Sequence, residues 1–99
     1  MNEIRQTEEF SKWLSGLNDK VAKAKILIRI DRLILGLLGD SKSVGEKVSE
    51  LRVNYGPGYR LYYTRRGKTI YILLFGGDKS NQKRDIRKAQ KLAKEILEN

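Results

Sequence analysis

Arg52, Arg60, Tyr62 and Lys79 are the residues of this chain best suited to chemistry on a charged substrate. Arg60 and Tyr62 are two apart, which puts them on one face of a strand, and Arg52 alternates with Glu50 and Asn54 in the same way on the preceding segment. Guanidinium forks donate bidentately to phosphate oxygens, and a tyrosine ring stacks on an exposed base, so the combination suits single-stranded RNA better than a duplex groove. Arg65 and Arg66 at the next turn, with Lys83 and Arg84 after the last strand, are expected to join them as RNA-binding residues. The alternation predicts a surface position for Tyr62 and a core position for Tyr63. The plain alternative is a solvated basic face.

Acids are scarce in this region: between residues 51 and 94 the only ones are Asp78 and Asp85. Asp78 is read either as the cap of the final helix or as a base, and Asp85 as a partner of that helix's dipole. Gly76-Gly77 could cradle an anion with backbone N–H groups ahead of a helix, or could form an ordinary strand-to-helix turn. The Lys25, Arg29 and Arg32 stripe, and Lys83, Arg87, Lys88, Lys91 and Lys94, read as the wet sides of helices, with RNA contact as the alternative.

Charge supports an anionic polymer as partner. The chain has 99 residues and a formal net charge of +9; residues 1–51 hold nine Lys and Arg against eight Asp and Glu, and residues 52–99 hold twelve against four. Cysteine and histidine are both absent. That excludes thiolate nucleophiles, disulfides, Cys- or His-based metal sites and the one side chain that titrates unperturbed near neutrality. No metal and no cofactor are expected. One domain over residues 1–99 is expected at this length. The N-terminus lacks a signal-peptide layout and no apolar run is long enough to span a bilayer, so a soluble, unexported protein is expected.

The elements that must position these side chains are legible from periodicity. Thr7 before Glu8, Glu9 and Phe10 predicts a capped helix over 7–17, with a short strand over Glu3–Gln6 before it. Asp19 recaps a second helix over Lys20–Leu38, whose stripe is Val21, Ala24, Leu27, Ile28, Ile30, Ile34, Leu37 and Leu38. Residues 40–46 read as loop. Alternation predicts a strand over Val48–Tyr55, a type II turn at Gly56-Pro57-Gly58 and a strand over Tyr59–Arg65. A tight turn at Arg66-Gly67 leads to a central strand over Thr69–Phe75, and a last helix starts near Asn81 with Ile86, Ala89, Leu92, Ala93, Ile96 and Leu97 inward. The fold class is α+β in two layers: two N-terminal helices, an antiparallel three- to four-stranded sheet and a C-terminal helix, with one sheet face left for a partner.

The order of elements, together with Gly39-Asp40, Glu50-Leu51-Arg52, Gly56-Pro57-Gly58-Tyr59-Arg60, Gly76-Gly77-Asp78-Lys79 and Asp85-Ile86, resembles the RelE/ParE superfamily of type II toxins. The resemblance is to the addiction module killer group close to HigB, over nearly the whole chain. It implies a bacterial, cytoplasmic toxin restrained by a helix-turn-helix antitoxin that also carries it to operator DNA. The implied activity is ribosome-dependent cleavage of messenger RNA, as in RelE-like members; ParE-like members poison gyrase, and a member that only binds antitoxin and DNA is a further alternative. By position, Arg60 corresponds to the arginine of the RelE Gly-Tyr-Arg motif, Lys79 to the basic residue after the last strand, and Arg52 to the arginine before the turn. Tyr62, Lys83 or Asp78 would then move protons. Where RelE nucleases place lysines on the strand before the turn, this chain has Val48 and Glu50, and where they place a tyrosine in the last helix it has Ile86.

Overall fold

The computed structural model describes residues 2–98. Strand β1 (Glu3–Gln6) is followed by helices α1 (Glu8–Ser15) and α2 (Lys20–Ile34), strands β2 (Ser41–Gly45), β3 (Val48–Val53), β4 (Tyr59–Arg66) and β5 (Ile70–Asp78), a 3-10 turn (Lys79–Asn81) and helix α3 (Gln82–Glu98). The strands form one sheet in the order β1-β5-β4-β3-β2, antiparallel except for β1, which runs parallel to β5. The α+β class holds, with five strands in place of three or four. No helix among the described residues is long and apolar enough to cross a membrane.

The caps act where the sequence predicts them. Thr7 Oγ1 accepts from Phe10 N, and Asp19 Oδ1 accepts from Val21 N and Ala22 N. Thr7 also donates to the Leu74 carbonyl at 2.6 Å, which pins the start of α1 to β5. Helix α2 ends four residues early. Gly36 takes φ +79°, and Gly36 N and Leu37 N bond back to the Leu33 and Arg32 carbonyls, a Schellman arrangement that satisfies the last turn. Its inward line is Ala22, Ile26, Ile30 and Leu33, which shares Ile30 with the stripe expected and otherwise lies one position before Leu27 and Ile34 and one after Val21. Val21, Leu27, Ile28, Leu35, Leu37 and Leu38 are left exposed.

Residues expected as loop form β2, an edge strand whose Ser, Lys and Gly composition conceals it because only one of its edges is paired. Glu46 and Lys47 close the β2–β3 hairpin with φ +52° and +65°, the sign pattern of a two-residue type I′ turn. At the β3–β4 connection Gly58 N bonds Tyr55 O, so Gly56, at φ +57°, holds the first central position in place of Pro57. This is the II′ sense, opposite to the turn expected. The middle strand is β4, with β5 beside it.

Helices cover both faces of the sheet, giving three layers. Against α1 and α2 lie Leu51, Val53, Tyr59, Leu61, Tyr63 and Leu73; against α3 lie Val48, Tyr62, Ile72 and Leu74, met by Ala89 and Ala93. Small residues at i and i+4 bring α3 close to the strands. The expected open face therefore survives only beyond the N-terminal end of α3.

A bulge in β5 sits at Leu74: Tyr62 pairs with Phe75 and Tyr63 with Leu73. It shifts the register so that Gly76 faces α1 and Gly77 faces α3. Trp13 lies flat on Gly76, where a Cβ would overlap its ring, and also meets Tyr59 edge-on at 6.2 Å. Gly76→Ala forces that indole out of its seat. A loss of about 1–3 kcal/mol is expected, read as a lower denaturant midpoint with unchanged m-value.

Candidate nucleic-acid interface

Arg52 and Arg60 are direct cross-strand partners on β3 and β4. Like charges opposite each other destabilise a sheet, and here a buried carboxylate relieves the conflict. Glu50 is 0 % exposed; its Oε1 lies 3.3 Å from Arg52 Nε and 3.8 Å from Arg60 Nε, and its Oε2 accepts from Gln82 Nε2 at 2.6 Å. Glu50 thus ties β3, β4 and the first residue of α3 together. Three facing donor groups offset the desolvation of the carboxylate.

Beyond this cluster the 54–58 turn, Arg60 and Lys79 enclose a cleft of about 370 Å³. A side chain at Gly58 would stand 3.5 Å from Lys79 Cβ and 4.0 Å from Arg60 Nη1, so the turn lies directly over both cations. Arg60 is 8 % exposed, and its Nε is buried without a hydrogen bond, the 3.8 Å approach to Glu50 being an ion pair only. Arg52 is half-buried beside it, and its carbonyl accepts from Arg29 Nη1 at 2.6 Å. Lys79 is exposed at the end of β5. Three cations and one buried acid share this end of the sheet, and a phosphate would find donors there without displacing a hydrophobic contact.

The remaining residues fall elsewhere. Tyr62, expected at the surface, is 0 % exposed beneath α3. Its face reads as polar because Glu50, Arg52 and Arg60 share it, but α3 seals that face over β4 and β5. The Tyr62 hydroxyl has no hydrogen-bond partner, and burial, then the charges of Glu50 and Asp85, push the phenol far above its usual range. Tyr62 is therefore a core residue and not part of the surface expected for it. Arg65 and Arg66 lie at the opposite end of β4, roughly 20 Å from Arg60 at about 3.3 Å per residue. Arg65 stacks on Tyr71 and donates to the Lys68 carbonyl, while Arg66 donates to the Ile96 carbonyl near the C-terminal end of α3. Convergence of these two arginines with Arg60 is thus corrected. Lys83 and Arg84 are exposed on the first turn of α3, at the cleft's end of the molecule.

Gly76 and Gly77 are not an anion cradle. Both lie inside β5, paired with Leu61 and Arg60, and their open sides are filled by Trp13 and the Asp85 carboxylate. Asp78 caps the 3-10 turn, accepting from Ser80 N and Oγ, which holds its carboxyl below the usual range. Asp85 is 4 % exposed and burial raises its carboxyl, against the opposing pull of Arg84. Glu50 is the functional residue that sequence reasoning missed. Its signal was a lone acid flanked, on one strand face, by two facing arginines.

The architecture and cleft define a RelE-like fold. The structure superposes on a chain of the intact E. coli RelBE toxin–antitoxin complex with a TM-score of 0.66 at 11 % identity, over 79 % of this chain and 96 % of that one. The chain belongs to the phage-derived Gp49-like family (DUF891), whose pattern it matches over residues 12–97. An uncharacterized protein of Haemophilus influenzae is 48 % identical over 94 residues, 95 % of each chain. The resemblance to the RelE superfamily is thereby borne out at the level of family and fold.

Two measurements check these assignments. Tyr62→Phe removes a buried hydroxyl with no partner, so stability is expected to stay level or rise by up to about 1 kcal/mol with activity intact; lost activity in a folded variant would restore Tyr62 as a reacting group. Asp85 holds its proton more tightly folded than unfolded, so stability falls as pH climbs from the unfolded value near 3.8 through the raised folded one. Asp85→Asn is expected to remove that fall, stabilising the protein at neutral pH while changing little below pH ~3.8, in denaturation series run across pH.

Proposed function

We propose that this protein is the toxin of a type II toxin–antitoxin pair and acts as a ribosome-dependent messenger-RNA endoribonuclease in the bacterial cytoplasm, without a metal or other cofactor. The observation that carries this is the open cleft lined by Arg60 and Lys79, with Arg52 paired to Arg60 across the strands behind it. The RNA 2′-oxygen attacks the adjacent phosphorus and the 5′-oxygen leaves, giving a cyclic 2′,3′-phosphate and a 5′-hydroxyl. Negative charge grows on the non-bridging oxygens during this step. Arg60 and Lys79, with Arg52 behind them, stabilise that charge, and Glu50 keeps both guanidinium groups from relaxing apart.

Proton transfer is what the chain supplies least. Tyr62 is buried, Asp78 is engaged by Ser80 and more acidic than usual, and Lys83 is solvated. A site with charge but no poised base needs its substrate aligned by another body, which favours messenger RNA held in the ribosome over free RNA. Lys83 and Arg84 at the rim are suited to that larger anionic surface.

The antitoxin partner is supported by a separate feature. Six large apolar side chains on the outer side of α2 and the turn after it are exposed, from Leu38 at 41 % to Leu35 at 66 %. Such a patch on a chain of net charge +9 suits an acidic, partly apolar protein. Through that protein the complex would reach operator DNA.

Induction in a bacterial host is expected to stop growth and leave truncated messengers whose new 5′ ends map inside translated codons. Arg60→Ala is expected to reduce cleavage at least ~100-fold, measured at a temperature where circular dichroism shows the destabilised variant still folded, and purified protein is expected to leave free RNA uncut. Intact messages with DNA breaks and an SOS response would point instead to gyrase. Unaffected growth and translation would end the enzymatic reading.

A further inference from the structure

Helix α2 carries Lys25, Arg29 and Arg32 at i, i+4 and i+7, one face of the helix. Like charges at this spacing weaken a helix. With Ile28, Val53 and Asn54 these three line a cavity of about 240 Å³ that contains no carboxylate. Arg29 is half-buried: its Nη1 is taken by the Arg52 carbonyl, while its Nη2 is buried with no hydrogen-bond partner. Burial and the neighbouring Arg32 lower the Arg29 guanidinium from its ordinary value, with Asp40 pulling the other way. Arg29 Nη2 is packed against Gly39, so the cations the cavity leaves open are Lys25 and Arg32, with no carboxylate among the lining residues to neutralise them.

The position of this cavity says which anion. Asn54 is a wall of both this cavity and the cleft of Arg60 and Lys79. Lys25 Nζ stands 5.3 Å over the ring of Tyr55, which lines that same cleft. Arg29 itself grips the backbone of Arg52. The two hollows are therefore consecutive along one surface, on either side of the chain leaving β3.

We propose that the Lys25, Arg29 and Arg32 cavity is a second phosphate subsite, holding a phosphodiester of the same single strand of RNA whose reacting phosphate lies over Arg60 and Lys79. This rests on the RNA-cleaving reading of the first cleft. The strand crosses Asn54 and Tyr55 between the two subsites. Guanidinium groups at both ends fix its direction and register, so binding energy gained away from the reacting phosphate aligns it.

Lys25 and Arg32 are exposed and leave the Arg29 to Arg52 bond untouched, so Lys25→Gln with Arg32→Gln tests the subsite without disturbing the fold. Binding is followed by fluorescence anisotropy with 2′-O-methyl oligoribonucleotides, which cannot react: a dinucleotide that fills one subsite and a longer strand that fills both. The double variant is expected to bind the longer strand about tenfold more weakly, to lose about 1.4 from the slope of log K against log salt, and to bind the dinucleotide as the unsubstituted protein does. Unchanged affinity and slope for the longer strand overturn the subsite. Arg60→Ala reports the first cleft separately: if it weakens binding of both oligonucleotides while the double variant does not, the subsite alone falls, and if the unsubstituted protein binds neither, both readings fall. Loss of antitoxin binding with RNA binding retained would assign the cavity to an acidic protein and likewise overturn the proposal.

Discussion

Everything at the working end of this molecule depends on one buried carboxylate. Glu50 lies between two arginines that strand pairing forces to face each other, and it reaches Gln82 on the far side. Without it, β3 and β4 would carry a repulsive pair at the very residues that must stay close. With it, the repulsion becomes a clamp, and the clamp extends to the start of α3. Breaking a buried pair of this kind typically costs about 3–5 kcal/mol, because the remaining charge is stranded. The same network leaves Arg60 Nε buried without a hydrogen bond, so one carboxylate offsets the two guanidinium charges only in part.

The sheet then decides what is accessible. Its two faces are sealed unequally, α1 and α2 covering one and α3, from Gln82 onward, covering the other. The cations at the uncovered end are held by strands and by a glycine-rich turn, and flexible loops have little part in their placement. Two glycines in β5 are occupied by side chains from opposite helices, Trp13 on one side and Asp85 on the other. That is how two helices approach a strand at successive residues.

Local signals in the sequence were reliable where local physics decides the outcome. The caps Thr7 and Asp19, the short strand over Glu3–Gln6, the hairpin strands and the inward line of α3 all follow from spacing and side-chain chemistry. The placement of Arg52, Arg60 and Lys79 at one end of the sheet was legible for the same reason. The failures have a common origin in tertiary packing. Helix α2 is apolar on two sides, so periodicity alone could not say that Ala22 and Ile26 face inward and Ile28 outward. Strand β2 carries edge-strand polarity, and Gly36 stops α2 before the more conspicuous Gly39. Tyr62 was misplaced because a strand face holding two arginines and a glutamate looks wet until a helix is laid across it.

The parallel pairing of β1 with β5 has a consequence for timing. Glu3 to Gln6 register against Ile70 to Leu73, so the first strand has no partner until more than two-thirds of the chain exists. Closing so long a loop is entropically slow compared with forming the β3–β4 and β4–β5 hairpins. Thr7, which starts α1, is anchored to the same late strand. During synthesis the N-terminal helices must therefore wait, unsheeted, for β5 to leave the ribosome. The five-stranded sheet is thus completed only in the last third of the chain's synthesis.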